Sequence, residues 1–212
     1  MSVTPYREYQ EIINAALRLL KQSGKVIWCE LDREKSSRNA IFHRITVPSL
    51  NRRILVKFTL WEGGDDSPSA NFIPIELPGH SQILSAERIC DILLQEINTR
   101  EKGIFHEGVI SQMLEVLKEQ GSILGYAKAR DRDDMNGVDF MVRFPNLHGV
   151  GTEMPLQVKS SIAGQRKHAK EFPAIPSICI RRANWTGKKF ALEHLRQIVL
   201  AYKENQTDVL HL

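Results

Sequence analysis

Residues 137–161 read GVDFMVRFPNLHGVGTEMPLQVKSS, and the folding of this stretch decides the architecture of the second half of the chain. Successive side chains of a strand point to opposite faces. Over 138–144 this alternation puts Val138, Phe140, Val142 and Phe144 on one face and Asp139, Met141 and Arg143 on the other. Over 154–160 it puts Leu156 and Val158 on one face, with Gln157 and Lys159 opposite. The intervening PNLHGVGTE, 145–153, is a turn region, so the spacing predicts an antiparallel hairpin centred on His148. In that register Asp139 lies opposite Gln157, and Lys159 falls one pleat further along the same face. Cross-strand Cβ atoms are about 4.5–5.5 Å apart. A carboxylate, an amide oxygen and an ammonium therefore converge within reach of one divalent ion.

Working outward, Ile104, Val109, Ile110, Met113, Leu114 and Leu117 recur at helical spacing and predict a helix over 104–120, ended by Gly121. A strand over about 123–129 and the charged loop RDRDDMNG, 130–137, lead into the hairpin. After it come a basic helix or loop, SIAGQRKHAKEF, a strand over 177–181 and a helix over about 188–204. This order, α-β-β-β-α-β-α, predicts an α/β/α sandwich on a mixed sheet. The first half reads as a helix through Ile12, Ile13, Ala16, Leu17 and Leu20, then strands over 26–31, 40–47 and 53–61. A loop over 62–71 and an edge strand over 72–77 interrupted by Pro74 follow, and then a helix over 85–98. We divide the chain into a small α+β unit, 1–102, and a second domain, 103–212. The first reads as an accessory domain that recognises substrate or makes a dimer contact, the alternative being that the two pack as one continuous domain. No internal repeat is visible in the sequence.

Of 212 residues, 42% are hydrophobic and 25% charged, a composition of globular domains rather than of disordered or fibrous chains. There is no apolar run long enough to cross a bilayer and no secretory leader pattern, so membrane partners and export are not expected. Cys29, Cys90 and Cys179 are widely spaced and odd in number, which excludes a disulfide framework and suits a reducing cytoplasm. His148 and His168 lack zinc-ligand spacing, and Gly63-Gly64 and Gly149-x-Gly151 fit no phosphate-binding fingerprint. No G-x-S-x-G elbow is present either. The net charge of +4 is unevenly spread: 14 Lys/Arg against 13 Asp/Glu over 1–106, 5 against 8 over 107–158, and 10 against 4 over 159–212. An acidic stretch followed by a basic one suits metal-assisted work on a phosphodiester, carboxylates for the cation and Lys/Arg for the backbone. A solvated surface would carry the same pattern.

The text GVDFMV followed by MPLQVKSS resembles the PD-(D/E)XK nuclease superfamily, whose motif is an acidic residue on one strand, a variable hairpin, and a (D/E/Q)-x-K tripeptide on the next. Asp139, Gln157 and Lys159 stand at the motif positions, in the Q-x-K form. The resemblance covers about residues 103–212 and implies a restriction-endonuclease-like α/β/α core with a central mixed sheet, preceded by the small α+β unit. It implies an endonuclease hydrolysing DNA phosphodiester bonds with Mg²⁺ or Mn²⁺. On that reading Asp139 binds the ion, with the Gln157 side-chain oxygen and the Val158 carbonyl, and Lys159 positions or deprotonates the attacking water. Glu107, at the place of the superfamily's helix glutamate, completes the site. Gln supplies no negative charge, so ion affinity is expected to be lower than in an acidic site. The alternative is a catalytically inactive nuclease fold serving as a nucleic-acid-binding or interaction module.

After the lysine, Ser160, Ser161, Arg166, Lys167, His168 and Lys170 read as phosphate contacts to DNA, with RNA as the other candidate partner. A helix facing water is the competing reading. Arg181, Arg182, Lys188 and Lys189 extend the basic run, and Trp185 is a candidate for stacking on a base. A homodimer would suit double-strand cutting. The α-β-β-β-α order of the first half is shared with double-stranded RNA-binding domains, but its second helix, beginning LSAERICDILL, lacks their basic cluster.

Overall fold

A computed structural model describes residues 5–37, 40–59, 72–77, 84–129, 137–145, 151–180 and 185–204. The expected loops over 62–71 and 130–136, the centre of the hairpin, Arg181 and Arg182 lie outside these, as does the side chain of Trp185. The chain is of mixed α and β class and divides into two compact units, Met1–Glu101 and Lys102–Leu212. No helix among the described residues is long and apolar enough to cross a membrane.

The first unit begins with α1 (Pro5–Gln22), whose Ile13, Ala16, Leu17 and Leu20 are buried at the expected helical spacing. Strands β1 (Trp28–Leu31), β2 (Ala40–Val47), β3 (Arg52–Thr59) and β4 (Phe72–Glu76) form one sheet in the order β1-β2-β3-β4. The first three pair antiparallel, and β4 runs parallel to β3 at the edge, where Pro74 costs no ladder bond on its open side. A single 3₁₀ turn, Pro48–Leu50, joins β2 to β3, and Asn51 closes it in the left-handed region at φ 49 with its N–H on the Pro48 carbonyl. The fourth strand sets this unit apart from a double-stranded RNA-binding domain. Ile41, Ile45, Val47, Ile54, Val56 and Phe58 are buried on one sheet face, while Phe42, Arg44, Thr46, Leu55 and Lys57 on the other are half-buried.

Helix α2 (Ala86–Glu119) runs unbroken where the sequence predicts two helices, over 85–98 and 104–120. Ile89, Leu93 and Ile97 are buried in its first half, and Val109, Ile110, Leu114 and Leu117 in its second. The junction, 99–103, holds one glycine and no proline. Gly weakens a helix by about 1 kcal/mol but keeps its N–H, whereas proline removes it.

The second unit continues through β5 (Gly125–Lys128), β6 (Phe140–Pro145), β7 (Gly151–Lys159), α3 (Ile162–Glu171), β8 (Ser177–Cys179) and α4 (Trp185–Lys203). Its sheet has the order β5-β6-β7-β8, the first three strands antiparallel and β8 parallel to β7. The two units thus share one strand order, although the sequence shows no repeat. Phe140, Val142, Phe144, Leu156, Val158 and Ile178 form a core with Ile110, Leu114 and Leu117 of α2 and Leu195 and Ile198 of α4. Each such side chain contributes about 1.5–3 kcal/mol on burial. Gln157, Lys159 and Ser177 lie on the other face by alternation, and α3 packs against β7 and β8 there. Helices therefore cover both faces of this sheet.

His43 on β2 is 4% exposed, lies edge-on to Phe58, and neither ring nitrogen has a partner among the described residues. Burial pushes its imidazole down to about 4. Between the unfolded value near 6.5 and the folded one, only the unfolded chain binds the proton, so stability falls as pH drops through that window. Urea unfolding at pH 7 and pH 5 is expected to show about 2 kcal/mol more loss for the wild type than for His43→Leu, which removes the titrating ring.

Candidate functional site

Every β6–β7 pair, from Phe140↔Leu156 to Pro145↔Gly151, falls in the register centred on His148 that the sequence predicts. That ladder ends at Leu156. From Gln157 onward β7 pairs with β8 instead, through Gln157↔Ser177, Val158↔Ile178 and Lys159↔Cys179. Successive backbone N–H groups of a strand point to alternate edges. The Gln157 N–H goes to the Pro176 carbonyl at 2.9 Å, on the β8 side, so that of Val158 faces the side β6 has left.

Asp139 fills that gap. It stands just before β6 rather than within it, and its N–H donates to the Leu156 carbonyl at 2.9 Å, although Leu156 already faces Phe140. Two residues of one strand therefore meet one of the other, an offset of the bulge kind that re-aims a side chain. The Asp139 carbonyl accepts from the Ala129 N–H at 2.9 Å, which ties the same residue to the end of β5. Its carboxylate Oδ2 accepts from the Val158 N–H at 2.6 Å and from Gln157 Nε2 at 2.5 Å. Gln157 is 7% exposed, its Nε2 also lies 3.4 Å from the Val158 carbonyl, and its Oε1 has no hydrogen-bond partner among the described residues. A buried acceptor left this way costs about 1–3 kcal/mol.

Gly137 sets up the approach, with φ +74, a conformation that L side chains rarely adopt. A Cβ at this position would also lie 3.3 Å from His168 Cε1 and 3.4 Å from Phe172 Cε2. His168 faces inward from α3 at 3% exposure, its Nε2 3.2 Å from the Ile175 carbonyl and its ring stacked on Phe172. Gln165, one turn earlier, donates through Nε2 to the Ser177 carbonyl at 2.9 Å. Together they brace the connection into β8. Sequence reasoning placed His168 among the phosphate contacts and passed over Gln165; their i, i+3 spacing, continued by Phe172, was the available sign of an inward face.

The remaining basic groups of α3 are arranged differently. Arg166, Lys167 and Lys170 are exposed, Lys167 beside Glu171 at 3.7 Å. Ser161 caps the helix by accepting the Gly164 N–H at 3.1 Å, and Ser160 before it is half-buried. Lys159 Cδ lies 4.0 Å from where a Cβ on Gly164, in this first turn, would stand. Lys188 is half-buried and Lys189 exposed on α4. Glu107 on α2 accepts from Lys128 Nζ at 3.0 Å; Lys128 ends β5, opposite Phe140. The pair is largely exposed on the lysine side, so it is worth little more than a surface salt bridge.

The Asp139 carboxylate, the Val158 carbonyl and Gln157 Oε1 are oxygens of the type a hard divalent cation takes, but it is Gln157 Nε2 that lies against the first two. The Asp139 carboxylate and the Val158 carbonyl are anchored by the backbone, and the orphaned Gln157 Oε1 needs a partner. No cluster of three or more His, Cys, Asp or Glu residues able to hold a metal occurs among the described residues. No family model, curated protein or solved structure matches the chain. The chemistry of the site is therefore argued from this chain's own residues.

Two substitutions separate the roles of this segment. Asp139→Ala leaves the Val158 N–H and the Gln157 amide without their acceptor and is expected to cost about 1–3 kcal/mol in urea unfolding. Gly137→Ala, which keeps that acceptor, is expected to cost about 1–2 kcal/mol through its left-handed backbone alone.

Proposed function

We propose that the second unit is a nuclease-like domain of the PD-(D/E)XK kind, acting as a divalent-cation-dependent endonuclease on DNA. The observation that carries this reading is the entry of the Asp139 carboxylate where β7 leaves β6, against the Gln157 amide and the Val158 N–H, with Lys159 two residues beyond Gln157 on the same strand face. The strand order and the helices on both sheet faces support it as well.

Asp139, Gln157 through Oε1 and the Val158 carbonyl would hold Mg²⁺ or Mn²⁺. Such an ion, when bound, supplies Lewis-acid polarisation of a phosphoryl oxygen and lowers the pKa of water. Lys159 would orient the attacking water and offset the charge that develops on the phosphoryl oxygens. Arg166, Lys167 and Lys170 would hold the nucleic-acid backbone without reading sequence. Glu107, paired with Lys128, would assist from the end of β5. A catalytically silent module is the second reading, favoured by one observation: Gln157 offers its nitrogen, not its oxygen, to Asp139.

Incubation of plasmid and oligonucleotide DNA with the purified protein and Mg²⁺ or Mn²⁺ is expected to give nicked or cut products. Lys159→Ala should reduce cleavage by at least about 100-fold, a usual scale for removing a group that acts on the reacting atoms. Asp139→Ala should remove it. Cleavage that persists in both variants would reject the assignment, and salt-sensitive DNA binding without cleavage under either cation would establish the silent module.

A further inference from the structure

The Gln157 side chain makes one good bond and leaves one polar atom unsatisfied. Nε2 donates to Asp139 Oδ2 at 2.5 Å, while Oε1, in a residue only 7% exposed, has no partner among the described residues. The orientation follows from charge: an amide oxygen turned onto an ionised carboxylate oxygen at that distance would be repelled, whereas the NH₂ is attracted. Yet the oxygen is the only atom of this side chain that a cation can use. The better bond to Asp139 and the ligand for a cation are thus the two ends of one carboxamide.

We infer that Gln157 is a two-position group, resting on Asp139 through its NH₂ and turning about its terminal side-chain bond to present Oε1 when a divalent cation enters. The inference rests on the metal-site reading above and adds to it a competitor inside the site. In the resting position the NH₂ supplies part of the positive charge that a cation would bring to Asp139, so the carboxylate stays paired and the orphaned oxygen bears the cost. In the turned position Oε1 and the Asp139 carboxylate face the cation together, and the carboxylate keeps the Val158 N–H. Only one side-chain torsion changes, and β7 keeps its pairing with β8.

The consequence is a site in which the Asp139 carboxylate is held at rest by a residue that would also serve the cation, at the cost of one unpaired amide oxygen. Gln157→Glu removes the NH₂, sets two carboxylates against each other and adds a charge to the donor set. It is expected to lower the melting temperature in chelator and to raise Mg²⁺ affinity by roughly tenfold or more, since affinity for hard cations follows ligand charge. The direct measurement is a Mg²⁺ titration followed by ¹H–¹⁵N correlation spectra of the whole chain, with the Gln157 side-chain NH₂ pair assigned by its loss in Gln157→Glu. The inference expects that pair to begin at a hydrogen-bonded shift and to move away from it in step with the Val158 and Lys159 backbone amides. Backbone amides that move while the Gln157 NH₂ pair stays in place would overturn the turning amide and leave the metal site standing. Titrations of both wild type and Gln157→Glu that move none of these resonances would remove the metal site itself, and the inference with it.

Discussion

The hydrogen bond from the Val158 N–H to the Asp139 carboxylate is the interaction on which the second unit's architecture turns. A strand that exchanges one neighbour for another must leave a backbone donor facing the side it abandons, and inside a protein such a donor has to be paired. Here the replacement for the missing ladder carbonyl is a side chain. Because that side chain is charged, the bond is stronger than the neutral one it stands in for. The bulge-like step at Asp139, the left-handed Gly137 and the inward ring of His168 all serve to deliver the carboxylate to that point.

The first unit makes the comparison inside the same chain. Its sheet has the same order and the same parallel last strand, but β3 pairs with β2 along its whole length, Arg52 to Thr59, and with β4 from Leu55 onward. Among the described residues, no stretch of β3 changes partner and no carboxylate takes the place of a ladder bond in it. Lys57, Phe58 and Thr59 end β3 as Gln157, Val158 and Lys159 end β7, so strand order is shared while the gap belongs to the second unit alone among the described residues. A sheet of this order becomes a candidate site where its ladder is interrupted.

Much of this was legible in the residues. Alternation of Phe140, Val142 and Phe144 against Leu156 and Val158 predicts both the buried face and the register, because a slip of one residue would turn the apolar set outward. Charge in turn separates Arg166, Lys167 and Lys170 from the sheet. Three features were not legible. The end of the ladder at Leu156 depends on β8, which lies eighteen residues beyond Lys159 in the chain and carries no signal in the hairpin itself. The continuity of α2 was hidden because the apolar stripe pauses between Ile97 and Ile104, while a helix is held by backbone bonds that do not need a stripe. The orientation of the Gln157 amide is set by a neighbouring charge rather than by any spacing.

That the same carboxylate closes the sheet and lines the candidate site has an evolutionary consequence. Natural selection for a folded second unit would preserve Asp139 whatever that unit does, since losing it strands the Val158 N–H. Among descendants of this chain, the survival of the aspartate alone would therefore record the fold and not a chemistry.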